Sequence, residues 1–127
     1  MSLHCKDKFL MSNAKIPVYK IIEIKHGQPG PPFQLGVYDG LFPTIVACEV
    51  IQPKWDPKVQ AWYYGKGYIH AYLNKDEALN IFNQLKSKPG CKVYQLYKGY
   101  VPFDVRIGIN DKTICARKIY LTERICV

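Results

Sequence analysis

The stretch Trp62–Tyr72 of this 127-residue chain places one histidine among aromatic and glycine residues. If residues 68–73 (YIHAYL) are extended, Tyr68, His70 and Tyr72 project from one face, and Ile69, Ala71 and Leu73 from the other. An imidazole titrates near neutrality. Held between two phenols, His70 has the chemistry to orient a ring or a phosphate, or to serve as a general acid or base. The competing reading is a histidine that only bonds a backbone group across a sheet. The Pro-rich and Trp-containing segments at 27–33 and 52–64 are longer than sheet closure requires, and long loops often shape sites. We therefore expect a concave aromatic pocket beside His70, with Trp55 or Trp62 at its rim. Its ligand-binding residues would be Trp55, Trp62, Tyr68, His70 and Tyr72.

A second pattern is cationic. Lys54, Lys58 and Lys66 are interleaved with Trp55, Trp62, Tyr63 and Tyr64, while Lys86, Lys88, Lys92 and Lys98 follow with no acidic residue between 86 and 98. Rings that stack bases beside ammonium groups that neutralise phosphates are the two parts of a single-strand-binding surface. The expected partner is nucleic acid or another acidic molecule. Against sequence-specific readout, the positive charge comes from fifteen lysines and only three arginines. Bidentate recognition of phosphate or guanine favours Arg.

Other chemistries lack their residues. There is no phosphate-binding P-loop, no dinucleotide glycine fingerprint and no G-x-S-x-G elbow. The five cysteines, Cys5, Cys48, Cys91, Cys115 and Cys126, form no C-x-x-C pair and are odd in number. No metal site or cofactor is expected, and unpaired thiols fit a reducing, cytoplasmic setting.

The elements that must position these groups can be read from periodicity. Ile16–Lys25 is a strand rich in Ile, Val and Tyr, followed by a Pro/Gly loop over His26–Phe33. Strands are expected at 34–38 and 44–51, with a loop at Gln52–Lys58, where two prolines oppose a regular ladder. Asn74 is a good N-cap with Glu77 three residues later. Ala78, Ile81, Phe82 and Leu85 share one face, and Pro89-Gly90 stops the run, so a helix spans about 75–87. Cys91–Lys98 and Phe103–Ile109 read as strands, the first with Val93 and Leu96 as inward candidates. Asn110-Asp111 then turns the chain into Thr113–Ile125. In that last run Ile114 and Ala116 have one parity, and Ile119, Leu121 and Ile125 the other, which a β-bulge near Arg117 would produce.

Several strands, one helix and more strands predict an α+β fold: a bent, mostly antiparallel sheet with one packed helix at about 75–87. Residues 1–13, without a clean period, are expected to be a flexible tail, and 14–127 a single domain. Apolar residues make up 48% of the chain and charged residues 22%, the balance of an ordinary globular protein. The formal charge is +8, and no apolar run approaches the length of a membrane-spanning helix. No membrane association is expected.

The segment Lys66–Tyr72 (KGYIHAY), with the capped helix after it and the closing run Ala116–Glu123, resembles small bacterial and phage domains of unknown function. Those carry a Gly-aromatic-His-Ala core ahead of a helix; here either one extra residue stands between Gly67 and His70 or the aromatic is displaced by Ile69. The likeness follows residues 16–125 in order. It implies a fold relative and a mobile-element context rather than a reaction. The chain also resembles, more weakly, ADP-ribosyltransferase-type folds. That resemblance implies a cleft in which Tyr19, His70, Tyr72 and Glu123 are the catalytic candidates in chain order, although the family's Ser-Thr-Ser segment is missing. The leading expectation is a non-enzymatic binding or accessory module, with the transferase-like enzyme as the alternative.

Overall fold

The computed structural model describes residues 3–5, 10–25, 28–29, 33–39, 42–47, 53–64, 68–90 and 93–125. Its elements are β1 (Leu3–Cys5), β2 (Leu10–Met11), β3 (Ile16–Lys25), β4 (Gln28–Pro29), β5 (Phe33–Asp39), β6 (Phe42–Ala47) and β7 (Lys54–Asp56). They continue with β8 (Ala61–Tyr64), β9 (Ile69–Tyr72), α1 (Lys75–Ser87), β10 (Val93–Val101), β11 (Arg106–Ile109), β12 (Thr113–Ala116) and β13 (Lys118–Ile125). Among the described residues the fold is α+β, mostly antiparallel sheet with one helix, and the sheet is not closed. Among the described residues no helix is long and apolar enough to cross a membrane.

The larger sheet runs β2-β11-β12-β9-β3-β10-β13-β6-β5, with β4 paired to β3 off that path. Its inner face is apolar. Val18 and Ile22 from β3, Ile69 and Ala71 from β9, and Val101 from β10 pack with Ile107, Ile114, Ala116, Ile119 and Leu121 in one cluster. β6 also touches β9, four places away along the sheet, which requires the sheet to curl over this face.

Local signals explain α1. The Asn74 side chain accepts the Glu77 amide, Asp76 and Glu77 lie in the first turn, and Lys86 lies in the last. The buried residues Ala78 and Phe82 seat α1 on the outer face of the sheet against Leu96, with Tyr19, Ile21 and Tyr72 around them. Leu96 is fully buried, whereas Val93, expected inward with it, is 54% exposed. The two have opposite parity on β10, and only Leu96 lies beneath the helix.

The change of parity after Ala116 occurs at Arg117, where β12 gives way to β13 and the buried positions pass from 114 and 116 to 119 and 121. A further irregularity was not expected. Lys98 pairs with Glu123 but Gly99 pairs with Leu121, which leaves Thr122 as an extra residue. Leu121 therefore faces the inner core, while Ile125 joins the outer cluster under α1. Gly99 is required there, because a Cβ would collide with the Tyr120 carbonyl oxygen.

Two expectations are corrected near the N-terminus and at the 52–58 loop. Within the supposed flexible tail, β1 pairs with β8, and Cys5 is only 3% exposed. β2 pairs with β11, and the buried Ser12 hydroxyl donates to the Pro102 carbonyl and accepts the Val105 amide. Strands of two or three residues are too short to register as a period. In the same way β7 occupies the three residues between Pro53 and Pro57 and pairs with β8 at the edge of a small sheet, β1-β8-β7. An edge position tolerates flanking prolines. Phe103 stands exposed in a turn, so β11 begins only at Arg106.

Candidate functional site

Tyr68, His70 and Tyr72 do share the outer face, as Cys115 opposite His70 and Thr113 opposite Tyr72 require. Tyr68 and His70 are buried and Tyr72 is half-buried. The small sheet covers one end of this face: Tyr64 and Cys5 pack on Tyr68 and Cys115, with the Tyr64 and Tyr68 rings 5.1 Å apart, edge to face. Helix α1 covers the other end over Tyr72. His70 lies between these covers, only 6% exposed. The end of the 53–64 segment, at Tyr64, thus packs on Tyr68 as part of a cover over this face. Burial pushes the Cys115 thiol up to about 12, with Cys5 nearby acting in the same direction. The Tyr68 hydroxyl is also raised, first by burial and then by Cys115.

The carbonyl of His70 carries a contact that sequence reading missed. β3 and β9 share one register pair, Tyr19 with Tyr72. Beyond it the Lys20 ammonium, on the inner face, donates to the His70 carbonyl oxygen at 2.6 Å. The lysine thus brings a side-chain donor to a backbone acceptor next to the single β3–β9 register pair. Burial lowers the Lys20 pKa from 10.5 to about 8. A lysine within an alternating β-strand gives no local sign that it will be enclosed.

Of the transferase-like candidates, Tyr72 and Tyr19 are register partners, Tyr19 is paired with Lys98, and Lys98 with Glu123. Directly opposed residues share a face. Tyr19 and Glu123 line one cleft, with Lys75 and Lys98 beside them. His70 is not among its lining residues and Tyr72 lies under α1. The four candidates therefore share a face, and two of them, Tyr19 and Glu123, line this cleft among the described residues.

Among the described residues, β1-β8-β7 carries two aromatic side chains that reach solvent. Register pairs His4 with Tyr63 and Tyr63 with Lys54, which puts the three in one row. The His4 and Tyr63 rings are 5.2 Å apart, and Tyr63 is 38% exposed. On the opposite face of this sheet Trp62, aligned with Cys5 and Trp55, packs partly on the Tyr64–Tyr68 cluster. Trp55, on the edge strand, meets the Trp62 ring edge to face at 5.4 Å and is 49% exposed. Lys54 and Lys58 are exposed here. The local carboxylate, Asp56, is engaged by His4 Nε2 at 3.2 Å and by the Lys58 backbone amide at 3.0 Å.

The second lysine group is divided. Lys86 and Lys88 lie at the C-terminal end of α1, with the Lys86 ammonium 5.2 Å from the Phe82 ring centre, and Lys98 projects from the outer face of β10. Lys66 and Lys92, like Cys48, Cys91 and Cys126, lie outside the described residues. Among the described residues no three His, Cys, Asp or Glu side chains are grouped to hold a metal ion. No family model, curated protein or solved structure matches this chain.

Proposed function

We propose that this protein is a small binding module for single-stranded nucleic acid, and that the β1-β8-β7 sheet is its contact surface. One observation carries the reading: Tyr63 is 38% exposed in one row with exposed Lys54, on a face whose carboxylate is already engaged, and Trp55, 49% exposed, adds a second ring from the other face at the edge strand, with exposed Lys58 just after it. Base stacking on such rings tolerates any sequence, because every base has a π-face, and ammonium groups follow the phosphates without specifying bases. The lysine-dominated charge of +8 supports attraction over range rather than bidentate readout.

The test is fluorescence polarisation with single-stranded DNA and RNA 12-mers over a salt series. Affinity should fall as salt rises. Trp55→Ala and Tyr63→Ala should each weaken binding about tenfold, the value of one stacked base. Lys54→Ala and Lys58→Ala should each flatten the logarithmic salt slope by about 0.7. No binding at low salt, or binding indifferent to both aromatic substitutions, overturns the proposal.

A further inference from the structure

The cleft between the start of α1 and the outer face of β10 and β13 combines charges in an unusual way. Its volume is about 410 Å³, and among the described residues it is lined by Tyr19, Lys75, Lys98, Glu123, Arg124 and Ile125. Lys98 and Glu123 are opposed directly across the β10–β13 ladder, the position in which opposite charges ordinarily pair. Among the described residues they form no ion pair within 4 Å, and neither does Lys75. Both signs of charge are therefore left facing one cavity. Arg124, a register partner of Tyr97, also stands in the wall of this cavity.

A simple anion would be held by Lys75 and Lys98 but opposed by Glu123, and a simple cation would meet the reverse. The cavity suits a ligand with a doubly charged anionic end for the two ammonium groups and hydroxyl donors for the carboxylate. Cross-strand neighbours stand about 5 Å apart, a span on the scale of that between a phosphate ester and the hydroxyls of the sugar that carries it. The volume lies within the range of small-molecule sites and exceeds what a free phosphate needs. We propose that this cleft binds a phosphate monoester carrying a vicinal diol, with Lys75 and Lys98 on the phosphate and Glu123 accepting from the diol. Nucleotides and sugar phosphates share that chemistry.

Isothermal titration of the full chain with ribose 5-phosphate, adenosine 5′-monophosphate, adenosine, inorganic phosphate and serine tests it. Both phosphate esters should bind at least tenfold more tightly than adenosine, inorganic phosphate or serine. Tighter binding of the nucleotide assigns the natural ligand to nucleotides through the Tyr19 side of the cleft, and equal binding assigns it to sugar phosphates. Lys98→Ala and Glu123→Gln should each weaken ribose 5-phosphate about tenfold, the effect of removing one charge-assisted hydrogen bond. Glu123→Gln should not weaken inorganic phosphate. Both side chains are exposed, and unchanged melting temperatures verify that the variants are folded. Trp55→Ala should leave this titration unaltered, so failure here is distinct from failure of strand binding. Inorganic phosphate or serine binding as tightly as the esters, or Glu123→Gln leaving ribose 5-phosphate unaffected, overturns the proposal.

Discussion

Replacing Lys20 with Met probes the enclosed ammonium directly. The side chain is buried, and its ammonium donates to the His70 carbonyl at 2.6 Å. Its pKa falls from 10.5 to about 8 on folding. At about 1.4 kcal/mol per pH unit, the charged form is disfavoured by about 3 kcal/mol relative to the neutral amine. Between pH 8 and 10.5 the unfolded chain binds more protons at this site than the folded one, so stability rises with pH across that window. Below pH 8 both states are protonated and the cost is present in full. Above 10.5 both are neutral and it is gone.

Lys20→Met removes the charge and with it the hydrogen bond to the His70 carbonyl, a loss of about 1–3 kcal/mol. Near pH 7 these effects oppose each other, and the variant should lie within about 2 kcal/mol of the wild type. By pH 9.5 the wild type has recovered about 2 kcal/mol that the variant cannot. Urea unfolding at pH 7, 8, 9 and 9.5 measures the difference between the two proteins. Tyr and Cys ionisations are common to both and cancel. A difference that stays constant with pH refutes the assignment of a buried, desolvated ammonium to Lys20.

Three further outcomes follow from the packing. His70→Ala should lower stability by about 2 kcal/mol, as truncation of an enclosed side chain does; unchanged urea midpoints would return His70 to the list of ligand-facing residues. Gly99→Ala should cost about 3 kcal/mol or more, because the new methyl meets backbone at Tyr120 and Leu121 rather than a side chain that can swing aside; a shift in melting temperature is the readout, and a neutral result removes the bulge at Thr122. Iodoacetamide at pH 8 should leave Cys115 unmodified in the native protein, since its thiol is held near 12, and modify it once urea is added; peptide-resolved mass spectrometry distinguishes the two states.

Much of the local structure was legible in the residues themselves. The cap at Asn74, the apolar face of Ala78 and Phe82, and the Pro89-Gly90 stop define α1 within a window of sixteen or so residues. The parity change at Arg117 could be read because four buried positions, Ile114, Ala116, Ile119 and Leu121, flank it in continuous chain. Ile125 could not be placed in that way. Its face depends on Thr122 slipping out of register opposite Gly99, a fact about two strands rather than one. His70 shows the same division. Period-2 alternation put it on the correct face, but whether that face is open depends on β1, β8 and α1 arriving from elsewhere in the chain to cover it. The cleft of Lys75, Lys98 and Glu123 joins residues up to 48 positions apart, and nothing in the local composition of any one segment announces the other two. Helix caps and alternation are written within a few bonds of the residues they govern. Burial, strand partnership and the meeting of charges depend on chain closure over long loops, and only the tertiary structure decides them.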